Sequence, residues 1–488
     1  MQRSSIRAAA LLLCPVSHAA IAADYWSYAY KDFDVTAVGS SGYTVSLAHD
    51  VARFDKALNH ILQLSERHPP THIYELEPKQ EKDLLGEVGV VSYKFSGYEV
   101  SVITDTRADR NSPRWGALFG YTGSLLVSGR AVRAPYWFQV GVPQLFANTE
   151  FESGRIKTGG VSVGFARVLR GGKLIPTRIF LRMQGSDPQL RAPSAFKSLF
   201  EAQSWYLARE VYVEGKLRTE FWRYLALMRE GKSEADAFAT SFKLSYEDLD
   251  KLLVDAMSEP THVFVVDVPR EPPDNQQPRK LSEAETKAML ADLNLQWQHR
   301  ANALRLASEA LQGDPHSELS LRVLARANLQ EGNFDASLAA VDKLVALTAP
   351  SAAALTDGGE VLSRLAREVS AKQAAIGVDS DTLSRRARDA YEHAIGLDPD
   401  YLRSWSGLAN LYSSPHDSAA AQAFVARAQP MMEKHLESAA LARALATMCS
   451  RTGQTAAAFL FGEYWRADAI TPRDLDEALA FMARMHSQ

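Results

Sequence analysis

Cysteine is almost absent from the sequence, since only Cys14 and Cys449 occur among 488 residues. Two cysteines cannot build the framework of several bridges that holds small disulfide-rich proteins together, so that class of protein is excluded. The stability must come from packing, and a hydrophobic content of 46% is ordinary for globular domains. At roughly 100–200 residues per domain, the length predicts two to four domains.

The sequence also lacks an excess of positive charge. Lys and Arg number 54 against 58 Asp and Glu, which gives a net charge of -4. Proteins whose main partner is nucleic acid or an anionic membrane usually carry a basic surplus, so neither partner is expected. No stretch beyond the N-terminal region approaches the roughly 18 apolar residues of a membrane-spanning helix, so no transmembrane segment is expected either.

The first 22 residues have the pattern of a secretory signal peptide. Arg3 and Arg7 precede an apolar run over 8–13, and Ala20-Ile21-Ala22 is a small-residue pattern typical of a cleavage site. We therefore predict a signal peptide over 1–22, cleavage near Ala22/Ala23, and a periplasmic or secreted protein. The alternative is an uncleaved N-terminal membrane anchor.

A proline-rich segment divides the remaining chain. Residues 267–282 contain four prolines and almost no apolar side chain, which predicts a stiff, extended linker. The sequence before it, 23–266, predicts an α+β domain, and the sequence after it, 283–488, predicts an all-α domain.

In the α+β half the residue patterns predict strands first and helices afterwards. Strands are predicted at 32–38 and 72–76, with an amphipathic helix at about 51–62 between them, then a β-hairpin over 90–104 and further strands between 155 and 183. Helices are predicted at 113–127, 135–147, 195–211, 217–229, 234–240 and 246–257.

In the second half, small residues recur with the spacing of a 34-residue helical-hairpin repeat of the tetratricopeptide type. Two stretches place alanine or tyrosine at repeat positions 20, 24 and 27 and proline at position 32: Ala303, Ala307, Ala310 and Pro315, then Ala387, Tyr391, Ala394 and Pro399. One hairpin cannot bury its apolar face alone, so the repeats should stack into an α-solenoid. Residues 349–378 fit the register poorly and predict a lengthened, irregular hairpin. An unrelated alanine-rich bundle is the alternative.

Two apolar segments of the α+β half carry a family resemblance. Residues 117–126, ALFGYTGSLL, match the flanks of a helix that bears H-E-x-x-H, and residues 135–142, PYWFQVGV, match a following W-x-x-E-G-x-A helix. This layout resembles the peptidase-MA-like, gluzincin-type metallopeptidase domains of exported bacterial proteins, which are often fused to tetratricopeptide repeats. The resemblance covers about residues 30–257 and implies a gluzincin-like α+β fold.

The residues that such a metallopeptidase needs are missing from the matching positions. The resemblance places the first zinc histidine at Gly120, the general-base glutamate at Tyr121, the second histidine at Ser124 and the third-ligand glutamate at Val140. Zinc needs nitrogen, oxygen or sulfur ligands, and a glutamate must activate its water. We therefore predict a pseudoenzyme without catalytic residues, metal or other cofactor, in which the Tyr121 ring fills the volume around the lost metal.

Other ionisable residues do not restore a site. No histidine lies between His72 and His262, so a shifted register cannot supply the zinc ligands. His68 and His72 are separated by prolines, which predicts a loop before a strand rather than a metal site. We interpret Glu75 and Glu77, on one face of the predicted strand, as a solvated face.

The sequence therefore favours a non-catalytic interaction protein that binds a protein or peptide partner through its repeats. The candidate binding residues are those expected to face the groove in two repeats: Leu319, Arg322, Arg326, Leu329, Arg403, Ser406, Asn410 and Ser413. The arginines could bind a carboxylate or a carbonyl, or lie on a merely solvated surface. The inactive domain would supply a second docking surface. A hydrolase with a non-standard active site and a self-associating cell-envelope component remain the alternatives.

Overall fold

The computed structural model describes residues 24–62, 69–105, 114–128, 134–170, 173–215, 217–257, 261–270, 275–371, 376–413, 418–469 and 472–486. The predicted signal peptide over 1–22 and the predicted loop residue His68 lie outside this range.

Two sheets occur in the described part of the chain. The strands are β1 (Tyr25–Tyr30), β2 (Phe33–Val38), β3 (Thr71–Leu76), β4 (Ser92–Phe95), β5 (Val100–Asp105), β6 (Thr149–Phe151), β7 (Arg155–Thr158), β8 (Phe264–Asp267) and β9 (Arg279–Lys280). The larger sheet has the order β4-β5-β3-β2-β1-β9, and the smaller has the order β6-β7-β8. Strands β2, β3 and β5 run parallel to one another, and the other pairs are antiparallel.

The helices of the first half lie between and after these strands. They are α1 (Ser41–Leu62), α2 (Pro78–Leu85), α3 (Trp115–Ser128), α4 (Tyr136–Ala147), α5 (Val163–Leu169), α6 (Thr177–Phe180), α7 (Pro188–Arg191), α8 (Ala195–Tyr212), α9 (Arg218–Arg229), α10 (Glu234–Ser241) and α11 (Tyr246–Ala256). The predicted hairpin and the helices at 135–147 and 195–257 are confirmed within one or two residues. The α+β class of this half is confirmed as well.

The predicted strands between 155 and 183 are wrong apart from β7. Ser162 caps the N-terminus of α5 by accepting a hydrogen bond from the Phe165 amide, and Pro176 precedes α6. These helix-start signals outweighed the local β-propensity, which depends strongly on packing partners.

The ends of the predicted linker are held in the sheets. Asp267 ends β8, which pairs with β7, and Arg279–Lys280 form β9, which pairs with β1. Ser282 then begins the next helix with a capping box, because its hydroxyl accepts from the Glu285 amide while the Glu285 carboxylate accepts from the Ser282 amide.

The second half is an array of antiparallel helical hairpins. The helices are α12 (Glu283–Gln296), α13 (Arg300–Gly313), α14 (Glu318–Gln330), α15 (Phe334–Val345), α16 (Ala352–Ser370), α17 (Ser380–Leu397), α18 (Leu402–Leu411), α19 (Ser418–Lys434), α20 (Ala439–Arg451), α21 (Thr455–Asp468) and α22 (Pro472–His486). The all-α prediction for this half is confirmed. The hairpin predicted at 349–378 is wrong in its extent, because the described part of that range contains one helix, α16 of 19 residues, and its partner α17 of 18 residues begins only at Ser380.

The larger sheet is covered on both faces. Alternate residues point to opposite sides of a strand, so Val102 of β5 packs with α1 and α3 while Ile103 faces the other way. On that second face, Ile103 packs in one buried cluster with Leu76 and with Met289 and Leu293 of α12. The first helix of the array therefore docks directly on the sheet of the α+β domain.

Candidate protein-binding groove

The first helices of successive hairpins lie side by side and form one face of the array. Helices α12, α14, α16, α18 and α20 each contact the next in this order. A groove of about 1180 Å³ lies on this face, lined from α14, α16, α17, α18 and α20, and by Tyr98 from the β4–β5 connection. We call this cavity the array groove.

The structure brings most of the predicted binding residues together. Six of the eight line the array groove: Arg326, Leu329, Arg403, Ser406, Asn410 and Ser413. Leu319 and Arg322 lie on α14 outside the lining. Asn410 is exposed, whereas Ser406 and Ser413 are buried.

The three predicted arginines converge on one carboxylate that the sequence analysis missed. Asp357 of α16 is fully buried. Arg322 Nε donates to its Oδ2 at 2.7 Å, Arg403 Nη2 lies 2.7 Å from its Oδ1, and Arg326 Nη1 lies 3.8 Å from its Oδ2. Burial by itself would raise the pKa of Asp357, but the charges of Arg403, Arg322 and Arg326 outweigh it and hold the pKa well below its usual value.

Asp357 escaped the sequence analysis because it lies in 349–378, where the repeat register could not be assigned. The sequence nevertheless contains one indication that Asp357 is buried. Ala354, Asp357 and Val361 follow each other at spacings of three and four, which places the carboxylate in the buried stripe of a helix. An acid in such a stripe needs a cationic partner.

Arg403 has a second acidic partner. Its Nε lies 2.7 Å from Glu360 Oε1, and its Nη2 contacts both Glu360 and Asp357. Arg322 and Arg403 are therefore engaged within the array and connect α14 and α18 to α16.

Four other arginines of the array groove have no such partner. In the described part of the chain no carboxylate lies within ion-pair distance of Arg367, Arg385, Arg388 or Arg451. The Arg388 guanidinium carbon lies 5.3 Å from the Tyr412 ring centroid. Its Nε is buried without a hydrogen-bond partner among the described residues.

The tip of the β4–β5 hairpin reaches the array. Tyr98 lines the array groove near Ser406 and Arg403. Burial raises the pKa of Tyr98 to about 12, against the opposing effect of the Ser406 hydroxyl. The preceding Gly97 has φ +96°, and a Cβ there would lie 3.3 Å from Ala440 Cβ on α20. The α+β domain thus forms part of the groove wall.

A charged network lies beside the tip of this hairpin, close to the array. His72 Nδ1 lies 3.5 Å from Asp34 Oδ2, and His72 Nε2 lies 3.6 Å from Glu99 Oε2. Burial would lower the pKa of His72, but the interactions with Asp34 and Glu99 raise it to about 10. The pKa of Glu99 is lowered despite burial, chiefly by His72 and further by Arg403 and Arg322 of the array.

The positions that the resemblance matched to zinc and its base are built into the interior of the α+β domain. A Cβ at Gly120 would collide with Val102 of β5. The Tyr121 hydroxyl is buried and donates to Asp55 Oδ1 at 2.5 Å. Burial and this carboxylate raise the pKa of Tyr121 well above its usual value, so the phenol stays neutral.

The other two matched positions are also structural. Ser124 Oγ is buried and donates to the Tyr121 carbonyl at 2.7 Å, and Val140 of α4 packs against the main core. No group of three or more metal-ligating side chains occurs among the described residues.

The structure contradicts the interpretation of Glu75 and Glu77 as a solvated strand face. The Glu75 side chain is buried, and the Tyr43 hydroxyl of α1 donates to its Oε2 at 2.6 Å. Glu77 lies beyond β3, at the start of α2, and its amide donates to the Tyr25 hydroxyl. The prediction of a solvated strand face was wrong because Tyr43 of α1 covers this end of the strand.

Within the described ranges, none of the helices combines the length and apolar character needed to cross a membrane.

The described architecture defines a class of protein, in which helical-hairpin repeats follow and dock on an α+β domain. No protein-family model matches the chain. No curated protein matches it either. Among solved structures, a thermophilic TPR protein of Thermus thermophilus is similar at 21% identity, covering 42% of this chain and 100% of that protein with a TM-score of 0.33.

Proposed function

We propose that this protein is an exported, non-catalytic scaffold that binds a protein or peptide partner in the array groove. The observation that carries the proposal is the groove itself, which is open to a ligand and lined by side chains from five helices. Side-by-side helices of stacked hairpins offer the extended surface that repeat proteins use for binding.

The size of the array groove supports a macromolecular ligand. Its volume of about 1180 Å³ exceeds the roughly 300–1,000 Å³ of small-molecule sites. An extended peptide segment fits such a groove better than a compact metabolite does.

Site-specific crosslinking tests this proposal in the full mature chain. A photoreactive amino acid at Asn410, exposed in the array groove, should capture a partner in envelope extract. The same amino acid at Asp389, exposed on α17 outside the groove lining, is the matched control. Capture at both positions alike, or at neither, would contradict binding in the array groove.

The proposal also includes a peptidase-like domain that has lost its chemistry and serves as a second docking surface. The packing of Gly120 against Val102 and the neutral, buried Tyr121 support this part. Purified protein should contain no stoichiometric zinc by elemental analysis and should not hydrolyse casein. Stoichiometric zinc, or hydrolysis that a Tyr121 substitution abolishes, would overturn it.

Export is tested separately by sequencing the N-terminus of the protein isolated from its native cells. A mature chain that begins near Ala23 would support the proposal, and an intact N-terminus in the cytoplasm would oppose it.

A further inference from the structure

The array groove has an unbalanced charge. Seven arginines line it, whereas Glu360 and Asp381 are its only carboxylates among the described residues. The whole chain carries a net charge of -4, so this concentration of arginine is local. A cavity walled by one sign of charge raises the concentration of oppositely charged ligands near it.

The arginines fall into two groups with different surroundings. Arg403 is paired with Asp357 and Glu360, Arg326 lies near Asp357, and Arg364 is paired with Glu368. These pairs connect helices of the array or brace one helix.

The second group is Arg367, Arg385, Arg388 and Arg451, which no described carboxylate neutralises. Arg367, Arg385 and Arg451 are exposed. Arg388 is held against Tyr412, and its buried Nε has no acceptor in the described part of the chain. These four guanidinium groups can therefore pair with carboxylates of a ligand.

Peptide carboxylates fit this group better than nucleic acid does. Single-stranded nucleic acid is held by arginines together with aromatic faces on which bases stack. The aromatic residues in the described lining are Tyr98 and Tyr391, and Tyr391 is almost fully buried. Guanidinium groups, by contrast, match carboxylates with two parallel hydrogen bonds.

One wall of the site comes from the other domain. Tyr98 lies near Ser406 of α18, and Gly97 lies against Ala440 of α20. The hairpin tip therefore occupies part of the array face and limits the space that remains for a ligand.

We propose that the array groove binds an extended, acidic segment of a partner protein, whose carboxylates pair with Arg367, Arg385, Arg388 and Arg451, and that Tyr98 completes the site from the α+β domain. This inference rests on the proposed function and specifies the chemistry of the partner. The site is therefore composite, and the hairpin tip helps to set which peptide it accepts.

Selection from a random library of displayed 12-residue peptides on the immobilised full mature chain is the first test. The enriched sequences should be rich in Asp and Glu. A selected peptide, labelled with fluorescein, is then measured by anisotropy beside a version in which Gln and Asn replace Glu and Asp. We expect the neutral version to bind at least about tenfold more weakly. The affinity of the acidic peptide should fall as the salt concentration increases.

A charge-matched pair of variants assigns the binding to the array groove. Arg367→Gln/Arg385→Gln/Arg451→Gln should reduce the affinity for the acidic peptide at least about tenfold. The control substitutes the same number of exposed arginines in the α+β domain, Arg167→Gln/Arg178→Gln/Arg223→Gln, and should change the affinity less than about twofold. Circular dichroism checks that both variants keep the helical content of the wild type.

The contribution of the hairpin is tested by Tyr98→Ala. This substitution should lower the affinity for the acidic peptide several-fold without altering the circular dichroism spectrum. An unchanged affinity would remove Tyr98 from the site.

Several outcomes would overturn the inference. They are enrichment of neutral or basic peptides, no enrichment at all, equal losses in the groove and control variants, or tighter binding of a 12-nucleotide oligouridine than of the selected peptide. If the Asn410 crosslink nevertheless captures a partner, the proposed function stands and only the acidic chemistry fails.

Discussion

Asp357 and the arginines around it illustrate what a single buried charge requires. A carboxylate taken out of water costs several kcal/mol unless cations and hydrogen bonds compensate for it. Arg322 of α14 and Arg403 of α18 both approach Asp357 to 2.7 Å. One residue of α16 thereby links three consecutive hairpins.

Replacing this charge should be costly. Asp357→Asn leaves the arginine charges without their shared partner, and we expect a loss of about 3–5 kcal/mol in the free energy of unfolding. Urea denaturation followed by circular dichroism measures it. Asp389→Asn, at an exposed position of α17, is the control and should stay within about 0.5 kcal/mol of the wild type. Equal stabilities of the two variants would contradict a structural role for Asp357.

His72 provides a pH-dependent prediction. Its pKa rises from an ordinary value near 6.5 to about 10 in the folded protein. The imidazolium therefore stabilises the fold fully below about pH 6.5, progressively less at higher pH, and not at all above about pH 10. His72→Gln should cost about 1.5–3 kcal/mol at pH 6, and the difference from the wild type should shrink toward pH 10.

Urea denaturation at pH 6, 8 and 10 gives this profile. His393→Gln, at an exposed position of α17, serves as the control. A His72→Gln cost that stays constant with pH would show that the charge of His72 does not contribute.

At the scale of helices, a tyrosine ring is packed between two glycines. Tyr391 of α17 is almost fully buried, and Gly359 of α16 and Gly407 of α18 lie against its ring. A Cβ at Gly359 would be 2.8 Å from Tyr391 Cε1, and a Cβ at Gly407 would be closer still. The missing side chains let three helices meet around one aromatic residue.

Adding a methyl group here should therefore overpack the array. Gly407→Ala is expected to cost about 1–3 kcal/mol, and Tyr391→Leu in the same chain should recover part of that loss. Gly396→Ala, where no atom lies within 4 Å of the added Cβ, should be neutral or stabilising. A double-mutant cycle by urea denaturation measures the coupling between Gly407 and Tyr391, and purely additive effects would contradict this packing.

At the scale of the whole molecule, the two halves are connected by the covalent chain and also by non-covalent contacts. Strand β9 pairs with β1, and Met289 and Leu293 of α12 pack in one cluster with Leu76 and Ile103 of the sheet. The Trp297 indole also donates to Ser92 Oγ at 3.2 Å.

Cutting the chain should therefore leave the halves together. With a protease site inserted between Arg270 and Asn275, the cleaved fragments should co-elute in size-exclusion chromatography, because burial of apolar surface holds α12 on the sheet. Met289→Asp/Leu293→Asp should allow them to separate after cleavage, while the uncleaved double variant elutes as one species. Separation of the wild-type fragments would contradict this account.

Much of the secondary structure could be predicted because its signals are local. Apolar spacings of three and four residues predicted the second half of α1, which begins at Ser41 and not near residue 51. The spacing of Ala303, Ala307 and Ala310 predicted a helical hairpin. The strands assigned between 155 and 183 failed, because helix caps such as Ser162 decided that segment. β1 and β9 were missed because a short strand is defined mainly by the neighbours with which it pairs.

The candidate site was predictable only in part. The repeat register identified six residues that line the array groove, including Arg326 and Arg403. It did not identify Asp357, whose irregular helix has no register, or Tyr98, which reaches the groove from more than two hundred residues away in the chain. Contacts between residues distant in sequence leave no periodic pattern.

The sequence by itself determined the two-part organisation and the helical repeats, because each depends on composition or on spacing along the chain. Only the tertiary structure decided that the predicted linker ends in strands of the two sheets, that Asp357 collects three arginines, and that Tyr98 forms a wall of the array groove. The physical reason is that burial and charge pairing depend on which surfaces meet in space.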